Sequence, residues 1–189
     1  MRPWITVCSI LITLAFSGLA QAQAILSPPF GLKWGEAPEK FFKWAEAQKL
    51  DVTIEYPSDK PGERYITISN RGNTLPKHQA TSLEAHFRKG RLYEVSLHYQ
   101  LESQSYEVAR SQFFQAKRDL TAKHGQFKLT HKKRDVLPND FTINEQSYHI
   151  EPVAGLFLML SYSEIRDNLR NSQRATFSVI YHNDNIITN

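Results

Sequence analysis

The chain has 189 residues, enough for one ordinary domain or two small ones, with 23 basic and 19 acidic side chains and one cysteine. So slight a positive excess argues against a nucleic-acid partner, and a single cysteine leaves no internal disulfide and no Cys-ligated metal cluster. No G-x-S-x-G elbow, Gly-rich phosphate loop or HExxH pair occurs, so serine-hydrolase, nucleotide and zinc-protease chemistry are without a motif.

The N-terminus reads as a secretory signal. Arg2 precedes an apolar run over residues 5–20, and residues 20–24 offer overlapping A-x-A sites, with cleavage after Ala22 or Ala24. A retained anchor is the rival reading. The run of about 16 residues falls short of the ~20 a membrane span needs. The expectation is a cleaved signal over 1–24, export to the periplasm or beyond, and no transmembrane span afterwards. Cys8 lies within this signal, so the exported chain would carry no thiol and would rely on its core for stability.

After a stiff Ser27-Pro28-Pro29 spacer, Pro38 suits the first turn of a helix running to about Leu50, with Phe41, Phe42 and Ala45 facing the core. Phe30, Trp34 and Phe41 read as core packing rather than a sugar platform. Strands follow over 52–56 and 64–69, then an exposed loop over 70–80.

Residues 81–101 carry the clearest signal. Leu83, Ala85 and Phe87 alternate with polar residues, as do Tyr93, Val95, Leu97, Tyr99 and Leu101 after Gly90, the pattern of a hairpin with one buried face. A two-residue loop at Lys89-Gly90 would set Ala85 against Glu94 and so oppose an apolar face to a polar one. A three-residue loop, Arg88-Lys89-Gly90, pairs Ala85 with Tyr93 and Leu83 with Val95, with Gly90 in the left-handed position. That register predicts a core face of Leu83, Ala85, Phe87, Tyr93, Val95, Leu97 and Tyr99. It sets Glu84 opposite Glu94 on the other face.

Ser103 or Ser105 can cap a second helix, in which Tyr106, Ala109, Phe113, Ala116 and Leu120 form an apolar stripe. Lys123 and His124 suit its last turn and Gly125 its end. A strand over 126–130 precedes the basic run His131-Lys132-Lys133-Arg134, read as an exposed loop. A strand over 141–150 carries a possible irregularity at Asn144-Glu145. Residues 156–160 are apolar at every position, so both faces should be covered. A polar loop over 166–173 leads to a last strand over 174–182 with Phe177, Val179 and Tyr181 on one face, and then a frayed tail.

The order is a helix and four strands, twice. It predicts an α+β fold: two helices packed on one face of antiparallel sheet. The halves are 25–102 and 103–189, either one continuous domain or a tandem duplication of a helix-plus-four-strand unit. The aromatic-glycine entry over residues 30–35, the turn Phe87-Arg88-Lys89-Gly90-Arg91-Leu92-Tyr93 and the helix end Lys123-His124-Gly125 resemble features of small exported bacterial proteins. The order is similar to the fold of the β-lactamase inhibitor protein and of the small outer-membrane assembly lipoprotein. The resemblance implies that fold, with inhibition of a secreted enzyme as one role it would allow. The chain has neither the inhibitor's disulfides nor the lipoprotein's lipid-bearing cysteine, and no functional residue is carried over.

The candidate binding face is the outer side of the hairpin: Glu84, His86, Glu94, Ser96, His98 and Gln100. Carboxylates and imidazoles are metal-ligand types, but the plain reading is a solvated sheet face. Neither metal nor cofactor is expected. Glu84 and Glu94 also imitate a glycosidase pair. The expected function is a non-catalytic module that binds a protein or envelope component, with a hydrolase acting on an envelope polymer as the alternative.

Overall fold

The computed structural model describes residues 26–71, 73–100, 105–138 and 140–188. The signal, Leu101 and Ser103 lie outside them. The elements are α1 (Glu39–Ala47), β1 (Asp51–Glu55), β2 (Glu63–Ser69), β3 (Ser82–Arg88), β4 (Arg91–Tyr99), α2 (Tyr106–His124), β5 (Lys128–Val136), β6 (Phe141–Val153), β7 (Leu156–Asp167), β8 (Ser172–Asn183) and a single turn, α3 (Asp184–Ile187). The strands form one antiparallel sheet in the order β1-β2-β3-β4-β8-β7-β6-β5. Two runs of helix then four strands therefore meet at the β4–β8 seam, where Leu97 lies opposite Val179 and Tyr99 opposite Phe177.

Both long helices lie on the same face. Phe41 of α1 meets Phe87 edge-on at 5.2 Å. Phe113 of α2 stacks on Tyr162 at 4.4 Å and meets Phe177 at 5.7 Å. Leu83, Ala85, Phe87, Val95, Leu97, Leu158, Leu160 and Val179 fill the space beneath them, all essentially inaccessible, so one core runs through both halves. Ser105 caps α2, its hydroxyl accepting from Val108 N, and Gly125 ends it at φ +102°. α1 stops earlier than its sequence suggests. Lys49 takes φ +55°, and the amides of Lys49 and Leu50 bond back to Glu46 and Ala45, the paired bonds that close a helix on a left-handed residue. Among the described residues no helix is long and apolar enough to cross a membrane.

The hairpin departs from its predicted register. Its loop has two residues: Arg88 pairs with Arg91, and Lys89 and Gly90 both have positive φ, at +50° and +74°, as a type I′ turn requires. The mismatch of faces that argued against this loop is repaired by a β-bulge. Phe87 lies opposite Leu92 and His86 opposite Glu94, leaving Tyr93 unpaired. Ala85 therefore faces Val95, Leu83 faces Leu97, and Glu84 faces Ser96 rather than Glu94. Leu92 enters the core in place of Tyr93, which turns to the outer face.

Four further expectations are corrected. The basic run is no loop: His131, Lys132, Lys133 and Arg134 lie on β5, an exposed edge strand. Charged side chains, lysine above all, discourage pairing of a free edge with another chain. The irregularity of β6 falls between Ile150 and Val153, not at Asn144-Glu145. No element among the described residues covers the second face of residues 156–160: Leu156, Leu158 and Leu160 are buried on the helix side, while Phe157 and Met159 are half-buried on the outer face. The tail 184–187 is the helical turn α3, capped by Asn183.

Candidate binding face

Transverse rows of side chains on the sheet's uncovered face define the site. In the first row Tyr65 lies opposite His86, His86 opposite Glu94, Glu94 opposite His182 and His182 opposite Phe157. In the next, Thr67, Glu84, Ser96, Ile180 and Met159 align, and in the third Ser69, Ser82, His98, Ser178 and Ser161. Cross-strand neighbours on one face stand about 5 Å apart, so opposite charges in a row meet directly. The bulge is what brings Glu94 into its row, because two successive residues of a bulged strand, here Tyr93 and Glu94, can share a face.

The row is joined by a chain of alternating charge. His86 Nε2 meets Glu84 Oε1, and His86 Nδ1 lies 3.1 Å from Glu94 Oε1. Glu94 Oε2 lies 2.7 Å from His182 Nδ1, and His182 Nε2 lies 2.6 Å from Asp184 Oδ1. A carboxylate only accepts, so both nitrogens of each imidazole must donate, and both rings are imidazolium cations. The sequence Glu84–His86–Glu94–His182–Asp184 thus alternates minus and plus. His86, Glu94 and His182 are 15–17% exposed along their side chains, which places the centre of the chain largely out of water.

The proton affinities follow from that placement. Burial acts to lower the pKa of His86, but hydrogen bonds to Glu84 and Glu94 outweigh it and raise the value to about 9. Burial would raise the pKa of Glu94, yet the bonds from His182 and His86 and their charges hold it at about 2. His182 is raised in the same way by Glu94 and Asp184 against burial. Glu84 is lowered, chiefly by its bond to His86. His98 differs: burial dominates and lowers its pKa, and its Nδ1 is 2.9 Å from Ser178 Oγ.

Rings reinforce the charges. Tyr65 stacks on His86 at 4.0 Å, a favourable seat for a cation over a π face. Tyr93 stands edge-on to His182 at 5.7 Å and 5.9 Å from His86. The hydroxyls of Tyr65 and Tyr93 both donate to Glu63 Oε2, at 3.0 and 2.9 Å. Beyond His182, Phe157 lies 6.1 Å away, and His149 is 6.3 Å from Phe157. A band of rings therefore crosses β2, β3, β4, β8, β7 and β6.

Five of the six residues singled out from the sequence belong to this face: Glu84, His86, Glu94, Ser96 and His98. Ser96 is only 5% exposed, so it lies beneath its neighbours rather than offering a hydroxyl. Gln100 lies past the end of β4, exposed, its backbone amide donating to Thr81 Oγ1 at 3.3 Å, outside the charge chain. Sequence reasoning missed His182, Asp184, Tyr65 and Tyr93. His182 has the parity opposite to Phe177, Val179 and Tyr181, so its face was legible. That β8 lies beside β4 was not.

Among the described residues no group of three or more His, Cys, Asp or Glu side chains is arranged to hold a metal ion; the carboxylates here point at imidazolium protons. No family model, curated protein or solved structure matches the chain.

Proposed function

We propose that this is an exported, non-catalytic binding module of the bacterial cell envelope, released from its signal into the periplasm or beyond, and that the uncovered sheet face takes a protein partner. The observation that carries the reading is the alternating Glu84–His86–Glu94–His182–Asp184 chain on a face eight strands wide with both long helices behind it. Its side chains are already held by one another, so a partner would order few rotamers on docking, a cost that otherwise reaches about 0.5–1.5 kcal/mol per side chain. The repeated element order supports reading the chain as two copies of one helix-plus-four-strand unit.

The hydrolase reading draws less support from the same residues. A glycosidase pair needs one carboxyl protonated at working pH. Glu84 is held below the usual carboxylate range by His86, and Glu94 by His182 and His86, which favours recognition over acid catalysis.

Site-specific photo-crosslinking of the full chain in cells tests the proposal. A crosslinking residue at Thr67 or Ser163, on the sheet face, should give a discrete protein adduct in the periplasmic fraction. The same residue at Gln115 or Arg118, on the exposed side of α2, should not. Adducts from the helix alone, or none from the sheet face, would overturn it.

A further inference from the structure

We propose that the polar cavity at the far end of β5 to β8, beyond the start of α2, binds a small polyhydroxylated carboxylate of the size of one acidic sugar ring. This site is on the helix side and does not depend on the outer face. Two transverse rows build it. Arg134, Asn144 and Glu164 align across β5, β6 and β7, and Thr142, Arg166 and Gln173 across β6, β7 and β8. Glu164 and Arg166 have the parity of the buried Leu158, Leu160 and Tyr162. They would belong to the core if α2 reached over them, but α2 begins at Tyr106 and leaves this end open. The cavity measures about 240 Å³, below the roughly 300–1,000 Å³ of pockets for drug-sized molecules.

Its chemistry selects the ligand. The hydroxyls of Tyr106 and Tyr162 both donate to Glu164 Oε1, at 2.7 and 2.6 Å. That fixes the carboxylate and leaves Oε2, without a donor among the described residues, to accept from a ligand hydroxyl. Arg134 and Arg166 are exposed at the mouth, and neither has a carboxylate partner among the described residues. Several other arginines do find a partner: Arg71 pairs with Asp51, Arg170 with Asp167 and Arg118 with Gln115, while Arg64 and Arg110 sit over aromatic rings. Two unpaired guanidiniums against one fixed carboxylate favour an anion, and guanidinium matches a carboxylate with two parallel hydrogen bonds. A bare anion would leave Glu164 Oε2 and the Asn144 amide unanswered. A ligand with hydroxyls beside its carboxylate satisfies both walls.

Titration of the purified protein with D-galacturonate and D-glucuronate, followed by backbone amide NMR, tests the site. At least one uronate should give saturable shifts at Asn144 and Arg166. D-Galactose and acetate, each lacking half of the chemistry, should bind about tenfold more weakly or less. Arg134→Gln and Arg166→Gln should each weaken uronate binding about tenfold, the worth of one charge-assisted hydrogen bond. Both residues are exposed, so an unchanged unfolding midpoint would show the variants are folded. His98→Ala, on the opposite face, should leave binding unchanged. Three results overturn the proposal: no saturable shift with either uronate, acetate binding as tightly as the uronate, or uronate binding indifferent to both arginine substitutions.

Discussion

The two faces of this one sheet are stabilised by different physics. The helix side is closed by aromatic and aliphatic side chains, Phe41 and Phe113 above Phe87, Leu97, Leu160 and Phe177. Such burial is non-directional and nearly independent of pH. The outer side has no second layer among the described residues. Its central row closes over the sheet by pairing charges, and Ser96 in the next row is shielded among its neighbours. One face fixes which fold forms; the other makes the middle of a wide, single-layer sheet tolerable to water while keeping it polar.

Breaking the apolar face should have the largest effect. Phe113 is fully buried and stacked on Tyr162. Phe113→Ala should cost about 3–5 kcal/mol, the usual range for deleting a core aromatic, read from urea unfolding. A loss below about 1 kcal/mol would mean that α2 is not docked as described.

The polar face should yield less and should depend on pH. Glu94→Gln removes the anion between two imidazolium rings and should cost about 2 kcal/mol near pH 6, somewhat below the value for a fully buried pair. His86 has its pKa raised from 6.5 to about 9, so its contribution is complete below pH 6.5 and is lost as pH climbs through 9. Glu94 is depressed from 4.5 to about 2, so its contribution is present above pH 4.5 and is lost as pH falls through 2. The stability lost on Glu94→Gln should therefore be greatest between about pH 4.5 and 6.5 and shrink on both sides. His78 and His98, lowered by burial, titrate the other way, and taking the difference between wild type and variant removes most of their effect. A pH-independent difference would show that Glu94 acts by packing rather than charge.

The contrast between the faces also explains what could be read from the sequence. Apolar periodicity reports burial, so the α2 stripe, the Gly125 stop and the core identity of Leu83, Ala85 and Phe87 were legible. Pairing between distant strands leaves no periodic trace. His182 and Glu94 are 88 residues apart, and nothing local announces that β8 lies beside β4. The basic run on β5 misled because exposed strand edges and exposed loops share a composition. The hairpin register misled for a different reason. Alternation was assumed unbroken, whereas a bulge inserts one residue and restores the phase.

That bulge ties the two faces together, and its turn offers the finest test. With Lys89 and Gly90 both at positive φ, the two-residue loop pairs Phe87 with Leu92, and only the extra residue Tyr93 keeps Glu94 out of the core and beside His86. Asparagine tolerates the left-handed region better than lysine, and Asn-Gly is the preferred pair for this turn. The exposed Lys89 side chain has no polar partner among the described residues, and the residue's bond to Gly62 is from the backbone. Lys89→Asn should therefore stabilise the protein by a few tenths of a kcal/mol, about 0.5 at most, whereas Lys89→Val should destabilise it by about 1 kcal/mol, since a β-branched residue is strained there. In a three-residue loop, Lys89 would have negative φ and the asparagine gain would vanish. A null result for both substitutions would return Tyr93 to the core and take Glu94 away from His86, dissolving the charge chain of the outer face along with the turn that places it.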